Sequence, residues 1–374
     1  MLGISGAKPY VSPTDPYGDV SAVGARPQPC VFAPRAQACG VEAPATPLVR
    51  HRRYMVQVDI PAVALAVEQS RNKLSAAARA GDLLRVRRGA YCVPGDLHVD
   101  GPSSAPREKR LRALARAAAL HVQLRAEHVF SHSTAALLHG CLVWTAPKNT
   151  HLYQRYRASG HASDDVARHS WTLTPEEVDV AAGLPVTSLA RTVVDCARTM
   201  HPLEALVIAD SALALGVERA VLLEILDAQP GHRGKQRARL VIELAEAGAQ
   251  SAWETWVRYE LLRAGLPRPT TQMPVQTDVG TFHTDLGYEQ WALGIEFDGR
   301  VKYRPDGVRR GHDPAQEYLN EKDRADAIRR SGIALERASA SDKSDVAAMI
   351  ARFTGHLPRQ IVAAARMDPR LPPT

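Results

Sequence analysis

The chain has 374 residues, 45% of them hydrophobic and 23% charged, enough for two or three domains with buried cores. Its 47 Lys and Arg against 40 Asp and Glu leave a formal net charge of +7, which favours a polyanionic partner, nucleic acid first. No apolar run approaches the roughly 18 residues a membrane span needs, the stretch over 60–67 being far too short. The start carries no basic stretch followed by an apolar core, so secretion is not expected. The five cysteines, Cys30, Cys39, Cys92, Cys141 and Cys196, are odd in number, scattered and without zinc-finger spacing. A reducing cytoplasm suits them.

Residues 1–55 are rich in Pro, Gly and Ala without apolar periodicity, which predicts a disordered tail. Met55, just before the first patterned segment, is a candidate translation start. Residues 62–68 read as one helix and 72–80 as a second, closed by Gly81 as C-cap. The run over 83–93, LLRVRRGAYCV, then alternates in strand fashion around Gly89. Helix, helix and basic hairpin make a winged-helix-like DNA-binding domain over 56–101. Arg71 and Lys73 open the helix that would enter the major groove. Arg85, Arg87 and Arg88 lie on the wing, where they would touch phosphate or the minor groove. The other reading of the same residues is a small helical cap with a solvated arginine hairpin. The run from Gly81 to Tyr91 resembles the wing of the N-terminal domain of abortive-infection type IV antitoxins (AbiEi), which are transcriptional autorepressors. That resemblance implies double-stranded DNA, a cognate toxin and a second copy of the chain as partners. The segment ahead of the wing is shorter than in that family, so one helix of the trihelical core is either missing or supplied by 110–127.

The Arg- and Ala-rich stretch over 106–127 reads as a connecting helix with Leu111, Leu114 and Leu124 on its apolar side. A helix over 129–144 follows, capped by Ser131 or Ser133. His132 and His139 stand seven residues apart on one face with no third ligand nearby in sequence, so packing or hydrogen-bonding roles are expected of them. Short strands are predicted over 151–153, 166–172 and 178–180, with Gly160, Pro175 and Gly183 as turn residues. Helices follow over 188–198, 203–215 and 220–226. The phrases over 131–136 (SHSTAA) and 183–195 (GLPVTSLARTVVD) are also similar to AbiEi antitoxins. The resemblance covers about residues 60–225 and implies a mixed α/β middle domain over 102–230 that contacts DNA and partners without chemistry. Asp195 and Asp210 read as helix-surface acids or caps. The basic run over 231–239 leads as a linker into a helix over 240–247, so 231–249 joins two domains.

Residues 250–263 space their apolar side chains at helical intervals, with Glu254 near the start. In the stretch over 283–302, HTDLGYEQWALGIEFDGRVK, Asp285 leads into a Gly-containing turn. An apolar run over 291–295 then carries Glu296 and Asp298 on alternate positions, which share a face in a strand. A hairpin brings Asp285 beside them, and three converging carboxylates repel each other unless a divalent cation lies between them. Hard oxygen ligands suit Mg²⁺ or Mn²⁺, and such a site performs phosphodiester chemistry. A solvated hairpin edge is the alternative. A charged amphipathic helix over 321–331 and a strand over 333–337 follow.

Taken together, residues 250–340 resemble the very-short-patch-repair-like (Vsr-like) branch of the PD-(D/E)XK nuclease superfamily. The signature is Asp285, Glu296-Phe297-Asp298-Gly299 and the helix carrying Glu321, Arg324 and Asp326. The resemblance implies a restriction-endonuclease-like α/β domain over 250–355, with Glu254, Asp285 and Glu296 holding the metal. The chain departs from the superfamily at Asp298, where the motif lysine usually stands, and lacks the histidine that often follows the Asp-Gly pair. Lys302 or Lys322 is left to supply the cation, or Asp298 to take up a second metal. The chain therefore reads as α/β multidomain. It is either a DNA-binding regulator with a metal-binding nuclease-like domain or a Mg²⁺-dependent DNA endonuclease targeted by its N-terminal part. Residues 356–374, with four prolines, are expected to fray as a flexible tail.

Overall fold

The computed structural model describes residues 57–66, 69–99, 104–155, 163–170, 173–229, 231, 233–298 and 314–374. All of them fall within one compact unit, Tyr54–Thr374. The expected tail over 1–55, Met55 with it, and Lys302 lie outside the described residues. The fold is mixed α/β, with three sheets among the described residues.

The first sheet contains β1 (Ala64–Leu65), β2 (Leu84–Arg87) and β3 (Ala90–Cys92), antiparallel in the order β1-β3-β2. Between β1 and β2 lies α1 (Arg71–Ala80), ended by Gly81 at φ 86, and Gly89 at φ 73 makes the β2–β3 turn. Both glycines hold left-handed conformations that a side chain would strain. The helix expected over 62–68 is absent from the described part of that stretch, residues 62–66. Pro61, Val63 and Leu65 are buried in alternation, and Ala64 and Leu65 pair with Tyr91 and Ala90, so strand pairing overrides the local alanine preference for helix. After α2 (Pro94–Leu97), α3 (Ser104–Gln123) does more than connect. Ala115 and Ala119 pack against Val63, Leu65 and Leu97, while Leu114, Ala117 and Leu120 face the main core.

The second sheet has the order β6-β5-β4-β8-β7. Its strands are β4 (Val129–Phe130), β5 (Thr150–Tyr153), β6 (Val166–His169), β7 (Val178–Ala181) and β8 (Leu184–Thr187). β4 pairs in parallel with β8 and β5 with β6. The helix expected over 129–144 is therefore divided into β4, whose Phe130 is opposite Val186, and the short α4 (His132–Leu138). Helices α5 (Leu189–Thr199), α6 (Pro202–Ala214), α7 (Arg219–Ala228) and α8 (Lys235–Leu244) follow. The basic run over 231–239 is not a linker. It leads directly into α8, whose Ala238, Leu240, Val241 and Ile242 are buried with α5, α6 and α7. Its cations are engaged nearby, Lys235 donating to the Asp227 carbonyl and Arg237 to the Arg198 carbonyl.

The C-terminal part begins with α9 (Ala252–Arg263) and continues through β9 (Thr270–Thr277), β10 (Gly280–Tyr288) and β11 (Leu293–Phe297). Then come α10 (Pro314–Arg330), β12 (Ala334–Ala338), α11 (Val346–Thr354) and α12 (Arg359–Ala364). The sheet order is β12-β11-β10-β9, antiparallel except for the β11–β12 pair, which α10 connects. Residues 356–374 do not fray. The Tyr259 hydroxyl donates to the Pro372 carbonyl at 2.7 Å, Trp256 Nε1 donates to Thr374 Oγ1 at 3.1 Å, and Thr374 Oγ1 donates to Glu260 at 2.7 Å. Leu371 joins the core at 3% exposure. One hydrophobic core runs through both parts, with Leu138, Leu206 and Ile242 in the same cluster as Trp256, Leu293 and Phe353. No helix among the described residues is long and apolar enough to cross a membrane.

Candidate functional site

The β10–β11 register, Leu286 opposite Ile295, places Asp285 next to Glu296 just beyond the last paired residues. Asp285 Oδ2 accepts from the Phe297 backbone N–H at 2.8 Å. The Glu296 side chain is 9% exposed, and its Oε1 lies 2.7 Å from Nη1 of Arg324 on α10. Arg324 also stands 3.5 Å from Glu321 and donates to the His283 carbonyl at 2.6 Å. On β12, Arg337 reaches Glu321 at 3.4 Å and Asp298 at 3.7 Å. The result is a network of acids interleaved with two arginines: Arg324, which belongs to the signature quoted above, and Arg337, which the sequence pattern does not single out. Lys322 is exposed on α10.

Glu254 stands in the first turn of α9, where its carboxylate accepts from the Gln250 N–H at 2.8 Å. Glu254, Asp285 and Glu296 do not bring three ligand atoms within 4.8 Å of one another. That corrects the expected convergence: the Arg324 guanidinium lies against Glu296, and Asp285 caps a backbone N–H. As arranged, the described residues do not fit a three-acid Mg²⁺ or Mn²⁺ site.

Burial holds the Glu296 carboxyl above the usual carboxylate range; Arg324 opposes the shift, and Glu321 and Asp285 add to it. Between the ordinary and the raised value the folded state keeps a proton that the unfolded chain has lost, and stability falls as pH rises through that window. Glu296→Gln is accordingly expected to raise the thermal midpoint at neutral pH, with the gain shrinking as pH falls toward about 4.3, the ordinary Glu value. An unchanged or lower midpoint at neutral pH would show that the Arg324 pair outweighs burial.

At the N-terminal end, Arg71 and Lys73 are exposed at the opening of α1, whose first turn has no acidic residue. Arg85 and Arg88 are exposed on β2 and in its turn. Arg87 departs from the expectation. Its side chain is 7% exposed, with Nε 3.0 Å from Asp165 Oδ2 and Nη1 donating to Gln123 Oε1 at 2.7 Å. The pairing register shifts between Arg85 and Arg87, which breaks the strand alternation. Arg87 thus fastens the hairpin to α3 and to the residues ahead of β6 and is not a surface cation.

The middle region brings together a group that sequence reasoning missed. His132, at φ 52 and 4% exposed, opens α4; His151 and His169 come from the parallel pair β5–β6. The His132 and His169 rings stack with centroids 3.9 Å apart, and His151 Nδ1 lies 3.1 Å from His169 Nε2. Among the described residues this is the group whose three ligand atoms fall within 4.8 Å of one another. Burial pushes the His151 ring down to about 4 and lowers His132 and His169 in the same sense, which favours the neutral rings. His139 stands apart, at the end of α4 with Nε2 2.8 Å from the Thr187 carbonyl. The available signal was His151 and His169 on two neighbouring predicted strands.

A cleft of about 520 Å³ adjoins this group, lined by His132, Tyr153, Arg168, His169, Arg191 and Asp195 among others. Arg191, 2% exposed, is held by Asp195 at 2.9 Å, by Glu177 and by the Tyr153 hydroxyl at 3.2 Å. Asp195 and Asp210, expected at the surface, are buried, Asp210 against Arg258 at 2.6 Å. Cys92, Cys141 and Cys196 are free thiols in buried positions, and burial pushes Cys92 and Cys141 up to about 12, which suits packing rather than nucleophilic roles.

No family model matches the chain. It is similar to two uncharacterized proteins of Mycobacterium tuberculosis, MT2308 of strain CDC 1551 / Oshkosh and Rv2248 of strain ATCC 25618 / H37Rv. Each is 26% identical over 231 residues, covering 61% of this chain and 78% of the relative. A solved structure, that of the RV2827C protein from Mycobacterium tuberculosis, is similar over 49% of this chain and 72% of its own, at 17% identity and a TM-score of 0.31.

Proposed function

We propose that the chain is a DNA-binding protein of the antitoxin-regulator kind that holds double-stranded DNA through α1 and the β2–β3 hairpin. The observation that carries this reading is the set of exposed cations Arg71, Lys73, Arg85 and Arg88 on those two neighbouring elements, in a chain of net charge +7. Cations so placed release counterions from phosphate, and the N-terminus of a helix adds its own positive field. A cytoplasmic location, a second copy and a cognate toxin belong to the same reading.

The C-terminal part gives a second reading, a divalent-metal-dependent DNA endonuclease of the Vsr-like kind. The supporting observation is the order helix, three strands, helix, strand over α9 to β12, with Asp285 and Glu296 side by side on β10 and β11. It stands second because Glu254 does not join them and the Arg324 guanidinium lies against Glu296. Plasmid DNA incubated with the protein and Mg²⁺ or Mn²⁺, beside the Glu296→Ala variant, separates the two. Retardation without cleavage by either protein supports the regulator. Cleavage by the wild type alone makes the chain an endonuclease, and no retardation with no cleavage rejects both.

A further inference from the structure

We propose that His132, His151 and His169 form a binding site for a single divalent transition-metal ion, with Zn²⁺ the best fit to three imidazole donors. The site is distinct from the acids of β10 and β11 and does not depend on the DNA reading.

The spacing is that of ligands around a metal. Two imidazole nitrogens each about 2.0–2.1 Å from a tetrahedral zinc stand roughly 3.3 Å apart. His151 Nδ1 and His169 Nε2 are 3.1 Å apart, and a ligand atom of His132 completes a set within 4.8 Å. A hydrogen-bonded histidine pair accounts for His151 and His169 but not for the third ring. His132 takes its place with a left-handed backbone at φ 52, uncommon for a residue with a β-carbon. In this conformation the His132 ring lies 3.9 Å from the His169 ring and 5.5 Å from the His151 ring, centroid to centroid.

The contacts around the three histidines hold them in place. Ser131 Oγ lies 3.0 Å from His132 Nδ1, which orients the ring and leaves Nε2 to face a metal. The His151 backbone N–H donates to Thr134 Oγ1 at 2.9 Å, and the His169 carbonyl accepts from the Gln154 N–H at 3.1 Å. The donors are thus fixed on two paired strands and a helix start rather than on a loop. Imidazole donors suit Zn²⁺ and its first-row neighbours and are poor ligands for Mg²⁺. His132 and His169 also line the cleft of about 520 Å³, which gives the ion an entry path and leaves room for a fourth, exogenous ligand.

The test is calorimetric titration of the full chain with Zn²⁺, together with the visible spectrum of the Co²⁺ form. One ion is expected per chain, with a tetrahedral Co²⁺ spectrum free of thiolate charge-transfer bands and a thermal midpoint that rises with Zn²⁺. His151→Ala and His169→Gln are each expected to weaken binding by about 100-fold or more, while His356→Ala leaves it unchanged. Circular dichroism checks that the variants are folded. A wild-type chain that binds no ion stoichiometrically, or that shows thiolate bands with Co²⁺, overturns the proposal, as does undiminished binding in a folded His151 or His169 variant.

Discussion

Replacing Asp210 with alanine is expected to cost the fold roughly 3–5 kcal/mol, read as a lower midpoint in urea unfolding with little change in slope. The Arg258 side chain is 0% exposed and the Asp210 side chain 2%, and they meet at 2.6 Å. Asp210 further accepts from Thr255 Oγ1 at 2.8 Å and from the Glu246 N–H at 2.7 Å, while Arg258 donates to the Leu244 carbonyl. This acid therefore ties α6 to α9 and to the segment after α8. Removing it strands a guanidinium where water does not reach, and that unpaired charge, more than the lost attraction, sets the cost. The double variant Asp210→Leu, Arg258→Met is expected to be more stable than Asp210→Ala, because no charge is left behind. A loss below about 1 kcal/mol for Asp210→Ala would mean that solvent reaches Arg258 after all.

Replacing Arg71, Lys73, Arg85 and Arg88 with alanine is expected to weaken duplex DNA binding and to flatten its logarithmic salt dependence by about 0.9 for each phosphate no longer neutralised. All four side chains are exposed, so the variant should unfold close to where the wild type does. Arg87→Ala is expected to behave in the opposite way. It removes the ion pair to Asp165 and the hydrogen bond to Gln123, so it loosens the hairpin while the folded fraction keeps the wild-type salt slope. Equal slopes for the four-cation variant and the wild type would remove α1 and β2–β3 from the interface.

Much of the local structure was legible because it depends on neighbours in sequence. The helix ending at Gly81, the hairpin turning at Gly89 and the helix capped by Ser188 each carry their signals within a few residues. The misreadings share a cause. Residues 62–68 are alanine-rich enough to read as helix, but β3 supplies the partner that makes 64–65 a strand. The run over 231–239 reads as a linker because its charges mask the buried Ala238 and the core residues of α8 that follow. The last residues read as a tail because proline interrupts helices, yet those prolines shape a segment that Trp256 and Tyr259 hold in place.

The candidate site divides along the same line. Asp285 and Glu296 are adjacent because one hairpin joins them, whereas Arg324 and Arg337 enter from later elements and change the charge balance. The histidine group draws on three separate elements, and the nearest pairing in sequence, His132 with His139, is not the one the fold makes.

Binding of duplex DNA through surface cations is read out by fluorescence anisotropy of a labelled duplex titrated with the wild-type chain at several salt concentrations. Saturable binding is expected, with logarithmic affinity falling with the logarithm of salt at a slope near −3 to −4, about 0.9 for each of the four exposed cations. Absence of binding at low salt, or binding whose affinity does not change with salt, would contradict it.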